Sequence, residues 1–148
     1  MGEEVNAQVW LAISGAIIRA RSPKVKSWWC LPASCNVGDK VYFYCPRAVS
    51  RRWHGIHSLY QVVETSVEKI ENASYMCVGC SFESKKVPLK FYEIELVETY
   101  KMPLPAKALK ENMKLRQLRC VKLNFQRTTF LIPEKQADVI SCLLADSN

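Results

Sequence analysis

Two runs of aromatic and β-branched residues, Val41-Tyr42-Phe43-Tyr44-Cys45 and Ile56 to Glu64, constrain the fold more than any other feature of this chain. Flat and branched side chains crowd the turns of a helix and pack well on a pleated surface, so both runs read as strands. The turn Val37-Gly38-Asp39-Lys40 leads into the first and Pro46 helps end it. With only a short basic connector between them, the two are expected to be neighbours in one sheet.

The remaining elements follow from the same patterning. Gln8 to Ser14 is almost continuously apolar up to Gly15, as in a strand buried on both faces. Leu89 to Val97 alternates Phe91, Glu93 and Glu95 with Tyr92, Ile94 and Leu96, the period of a half-buried strand with a wet charged face. Val121 to Asn124 and Thr128 to Leu131 read as strands on either side of Phe125-Gln126-Arg127. Helices are expected over Pro105 to Met113, with proline in the first turn, and from Pro133-Glu134 onward, where Ala137, Val139, Ile140, Leu143 and Leu144 make an apolar face. Helical turns are also expected at 17–20 and 65–71. Arg21 to Asn36, with Pro23, Pro32 and scattered serines, reads as a long loop carrying Trp28-Trp29-Cys30. Strands outnumber helices and lack regular βα alternation, so the expected fold is one α+β domain built round a small β-barrel or strongly curved sheet with flanking helices. A chain of 148 residues buries about two-thirds of its unfolded surface, enough for a core of its own.

Charge is unevenly spread. Arg19 to Arg52 holds eight Lys or Arg against Asp39 alone, and Lys107 to Arg127 holds seven against Glu111, while residues 60–100 carry seven Glu and four Lys. If the fold brings the outer segments together, they form one basic face suited to a polyanion. The longest apolar stretches fall far short of the roughly 20 residues that span a bilayer, so no membrane partner is expected. The opening Met1-Gly2-Glu3-Glu4 is acidic where a secretory signal is basic, which predicts a cytoplasmic protein, or a nuclear one in a eukaryote. Seven cysteines, an odd number, then read as reduced thiols. Cys30 and Cys35 with Cys77 and Cys80 have a spacing that zinc could use, but unpaired thiols are the default and no cofactor is expected. No G-x-S-x-G, H-E-x-x-H or Walker-type glycine loop occurs, and the only histidines, His54 and His57, adjoin Arg51 and Arg52. Binding is favoured over catalysis.

The order of several short motifs resembles the EVE domain, one of the PUA-like modules together with YTH and ASCH domains. The resemblance is carried by Trp10-Leu11-Ala12-Ile13, Trp29-Cys30-Leu31-Pro32, Val37-Gly38-Asp39-Lys40, Leu59-Tyr60-Gln61-Val62, and Asn124-Phe125-Gln126 through Phe130-Leu131-Ile132-Pro133-Glu134. It covers most of residues 8–144. Ser58 departs from it where a glycine is usual, as does Cys30 after Trp29, and residues 72–86 match no family pattern. What it implies is a small β-barrel with a pocket for a modified or flipped-out base in DNA or RNA.

A base taken out of its stack is compensated by aromatic faces, by hydrogen bonds to its edge and by cations on the flanking phosphates. Trp29 is the first candidate for the stacking wall, with Trp28 or Trp53 opposite it and Tyr42 or Tyr44 supplying a polar edge. Ser14, Asn124 and Gln126 are candidates for hydrogen bonds to the base. Arg47, Arg51 and Arg52 form one candidate phosphate track, and Lys114, Arg116, Arg119 and Arg127, with Lys122, a second. Each has a plain alternative: tryptophans fill cores, amides sit on surfaces and charge runs are solvated. The rival functions are a nucleoside- or RNA-directed enzyme of ASCH-like type, whose usual G-x-K-x-x-E pattern is absent here, and a protein-interaction module.

Overall fold

The computed structural model describes residues 7–14, 20–65, 89–122, 125 and 129–148. Six strands form one sheet: β1 (Val9–Ile13), β2 (Lys26–Pro32), β3 (Lys40–Cys45), β4 (Gly55–Thr65), β5 (Leu89–Leu104) and β6 (Thr129–Ile132). Helices α1 (Ala106–Glu111), α2 (Arg119–Lys122) and α3 (Glu134–Ser147) flank it. The order across the sheet is β2-β5-β4-β3-β1-β6, with β1 parallel to β3 and the other pairs antiparallel. The sheet is strongly curled into a half-barrel: Trp29 of β2 meets Phe43 of β3 edge-on, with ring centroids 5.3 Å apart, although two strands separate them in the sheet.

Curling divides the core. On one face Trp10, Ala12, Val41, Phe43, Tyr60, Val62, Tyr92 and Ile94 pack together, with Trp29 laid against them. On the other, Leu11, Ile13, Tyr42, Tyr44, Ile56 and Leu59 meet the helices through Leu109, Leu118, Ala137, Ile140 and Leu144. Alternate residues of a strand point to opposite faces, so a central strand such as β1 must be apolar throughout. Helix α3 buries Ala137, Ile140 and Leu144, starts after Pro133 with Glu134 in its first turn, and is capped by Asn148, whose side chain also exchanges hydrogen bonds of 2.9 and 3.1 Å with the backbone of Met102.

The turn before β3 is built round Asp39, which is 2% exposed. Its carboxylate accepts from the backbone N–H of Gln8, the indole N–H of Trp10 and the backbone N–H of Asn36, each at 2.9 Å. Gly38, at φ +99°, is the bend that lets this happen, and its own N–H and the carbonyl of Asp39 both bond to Val62 of β4. The Gly-Asp pair thus ties β1, β3 and β4 at one point.

The sequence expectations for β1, β3, β4, β6, α1 and α3 hold to within a few residues. Three differ. Lys26–Pro32 is not loop but an edge strand, paired with β5 from Lys26↔Glu95 to Pro32↔Leu89. Residues 119–122 form a helical turn rather than the start of a strand, closed by Lys122 N–H donating to the Leu118 carbonyl at 3.0 Å. Strand β5 runs on to Leu104 through a pairing with β4 interrupted by bulges, which hide the alternation beyond Val97. Its glutamates 93 and 95 are half-buried because Trp28 and Lys26 stand opposite them, with Lys26 3.8 Å from Glu95. Of the turns expected at 17–20 and 65–71, only Ala20, which is helical, and Thr65, which ends β4 instead, are among the described residues.

Ser58 lies in β4 with no solvent exposure, and its hydroxyl has no hydrogen-bond partner among the described residues. An orphaned buried hydroxyl costs about 1–3 kcal/mol. We therefore expect Ser58→Ala to leave stability unchanged or raise it by about 1 kcal/mol, read from the urea midpoint at constant slope.

Candidate nucleic-acid interface

The two basic segments, some sixty residues apart in sequence, meet at one cleft. Strand β3 ends at Cys45, and the connector that follows folds back on itself through bonds from Val49 N–H and Ser50 N–H to the Pro46 carbonyl, at 3.0 and 3.3 Å. Ser50 Oγ then accepts from Trp53 N–H at 3.2 Å. The turn presents Arg47 and Arg51 on one wall of a cleft of about 870 Å³. Helix α1 supplies Lys107 and Lys110 on the other, and Tyr44 and Phe125 lie among its aromatic lining. Four cations face one acid, Glu111, which is 3.9 Å from Lys107 across an exposed helical turn and binds it only weakly.

The aromatic lining is ordered. Tyr44 and Phe125 stack with centroids 4.2 Å apart and planes 7° from parallel, and His54 meets Tyr44 edge-on at 5.6 Å. Phe125 holds this place at φ +57°, a left-handed conformation that bulky residues adopt only when their surroundings impose it. Burial pushes the Tyr44 phenol well above its usual range, so it stays protonated.

His54 locks the walls together. Its Nδ1 lies 3.3 Å from the Cys45 carbonyl, and its Nε2 accepts from the backbone N–H of Ala106, the first residue of α1, also at 3.3 Å. A carbonyl only accepts and an amide N–H only donates, so the ring is neutral with its proton on Nδ1. Burial holds its pKa below the ordinary value, against the bond to Cys45, and the charges of Arg47 and Lys110 lower it further. Because the folded pKa lies below the unfolded one, the unfolded chain takes up the proton first, and stability falls as pH drops from about 6.5 toward the folded pKa. We expect the melting temperature to fall between pH 7.5 and 5.5, and His54→Gln to flatten that part of the dependence.

The other sequence candidates are placed as follows. Trp29 is half-buried against Phe43 on the opposite face of β3 from Tyr44, and Trp28, its neighbour along β2, is 38% exposed. Ser14 is buried at the end of β1, where its N–H bonds the Tyr44 carbonyl at 3.0 Å. Tyr42 lies under α3, its hydroxyl engaged with Ser141 and Tyr100 and its pKa raised by burial. Trp53 carries the Arg52 guanidinium 5.1 Å from its ring centre, outside the cleft lining. Arg116 and Arg119 are exposed away from the cleft, and Lys114 borders a separate groove beside α3. Asn124, Gln126, Arg127, Cys77 and Cys80 lie outside the described residues; Cys30 and Cys35 are buried, and no metal-binding cluster occurs among the described residues. Sequence reasoning did not single out Lys107, Lys110, His54 and Phe125 as site residues. The pointers available were His54 just before Gly55, which opens β4, and the place of Lys107 and Lys110 in the second basic segment.

No helix is long and apolar enough to cross a membrane among the described residues. No curated protein matches the chain. Solved structures share its fold. A Pseudomonas syringae protein is 20% identical with a TM-score of 0.71, over 91% of this chain and 98% of its own. Human THYN1 in complex with 5-methylcytosine containing DNA is 12% identical with a TM-score of 0.61, over 93% and 97%. The Pho92 YTH domain in complex with m6A is 12% identical with a TM-score of 0.56, over 97% and 87%. At these identities the likeness shows the fold, which is the PUA-like one. The sequence model of the EVE domain matches residues 30–143, more than half of the chain, and the chain belongs to the EVE domain family.

Proposed function

We propose that this protein is a nucleic-acid-binding reader that recognises a modified or flipped-out base, with Trp29 as the principal stacking wall. The observation that carries the reading is the convergence of Arg47 and Arg51 with Lys107 and Lys110 round one cleft. It occurs in a fold shared with a protein bound to methylated DNA and with one bound to m6A. Cations supply affinity for any phosphate backbone but carry no sequence information, so selectivity has to come from rings and hydrogen-bonding groups near the base. Trp29 meets Phe43 in a T-shaped contact and remains half-buried, while Trp28 and the Ser14 end of β1 are the supporting candidates.

The test is titration of the full chain against oligonucleotides with and without candidate modified bases at two salt concentrations. A reader binds in a salt-dependent way and prefers one modified base, and Trp29→Ala weakens that preferred complex about thirtyfold, the middle of the range for one stacked base. Trp29→Phe keeps the packing on Phe43 and should lose less. Binding that ignores salt, or no binding to any oligonucleotide, overturns the proposal. Turnover of a nucleoside substrate would replace it with the enzyme reading.

A further inference from the structure

We propose that the cleft between the 46–54 connector and α1 is a nucleotide subsite in its own right, separate from the tryptophan wall, taking a single nucleotide with its phosphate among the four cations and its base or sugar on the apolar floor. This rests on the nucleic-acid reading for the class of ligand.

The volume of about 870 Å³ is within the range of clefts that enclose small ligands. Its formal charge comes from side chains: the first N–H of α1 is consumed by His54, and His54 itself is neutral with both nitrogens engaged. The phosphate must therefore be met by Arg47 and Arg51 from one wall and Lys107 and Lys110 from the other, an arrangement that favours a multiply charged anion over a carboxylate. The floor is apolar: Tyr44 and Phe125, both buried, stack on each other in parallel beneath it, and the half-buried Pro46 and Pro105 beside them supply its open surface. Phosphate alone has no use for such a floor, and an uncharged aromatic ligand has none for four cations. A nucleotide uses both. The tryptophans of β2 do not line this cleft, and Trp29 lies on the other face of β3.

The experiment is calorimetric titration of the full chain with 5′-AMP, with adenosine and with inorganic phosphate as separate arms. It is repeated on the double variant Arg47→Gln/Lys110→Gln and on a control of equal charge change, Lys101→Gln/Lys135→Gln, whose residues are exposed away from the cleft. The expected result is that AMP binds at least tenfold more tightly than either adenosine or phosphate. The cleft pair should cost at least tenfold in AMP affinity and the control pair less than twofold. Absence of AMP binding, or equal losses in the two pairs, overturns the subsite. The reader proposal fails separately. If AMP binds but no oligonucleotide does, the subsite stands and the reader falls; if oligonucleotides bind and AMP does not, the reverse holds.

Discussion

Asp39→Ala is expected to be strongly destabilising. Its carboxylate is 2% exposed and accepts three N–H donors at 2.9 Å, from Gln8, Trp10 and Asn36. Removing it leaves the Trp10 indole N–H unpaired in the buried core and takes the acceptor from two part-buried backbone N–H groups. At about 1–3 kcal/mol for each unsatisfied donor, and with some relaxation of the turn, the loss should be about 3–5 kcal/mol. That is a large share of the roughly 5–15 kcal/mol that stabilises a typical domain. Asp39→Asn keeps one acceptor oxygen but turns an amide donor toward the remaining N–H groups, so its cost should be about half as great. Urea unfolding of the two variants checks this, and a loss under 1 kcal/mol for the alanine variant would show that the carboxylate does not tie the strands together as described.

Gly55→Ala is the second large effect, and it should damage the cleft as well as the fold. Gly55 sits at φ +115°, and a Cβ there would lie 2.9 Å from the Pro105 Cα and still closer to the Leu104 carbonyl. Those neighbours are backbone and cannot rotate away. They also lead directly into α1, which carries Lys107 and Lys110, so the methyl group pushes one wall of the cleft from the other. We expect about 3 kcal/mol of destabilisation, from left-handed strain and overpacking together, with a matching fall in affinity for AMP. Gly38→Ala is the informative contrast. Its φ is +99°, yet nothing stands within 4 Å of the added carbon, so strain alone should cost about 1–2 kcal/mol.

The central strands were legible because burial on both faces leaves little choice of residue type: Val41 to Cys45 and Trp10 to Ile13 are apolar at every position. Strand β2 was not. As an edge strand it is half wet, its burial does not follow a strict period, and Pro32 at its end and Pro23 ahead of it are loop signals; what makes it a strand is pairing with β5, sixty residues away. The short helix at 119–122 contains β-branched Val121, and four residues are too few for a period to declare itself. At the site, net charge pointed to two basic segments, of which Arg47 and Arg51 from the first and Lys107 and Lys110 from the second line the cleft, while Arg116 and Arg119 do not. It did not select Lys107 and Lys110, because a helix reading Ala-Lys-Ala-Leu-Lys-Glu looks like any solvated face. Phe125 gave no warning, since the strain that marks it is a property of the backbone alone.

Strand β3 has one further consequence. Phe43 and Tyr44 are consecutive, their rings on opposite sides of the sheet, and the pairing with β4 slips register between them. Phe43 touches the tryptophan and Tyr44 the floor of the basic cleft, so the two places lie back to back across a single peptide unit. A substitution that shifts this peptide unit would therefore disturb both places, because packed interiors transmit strain.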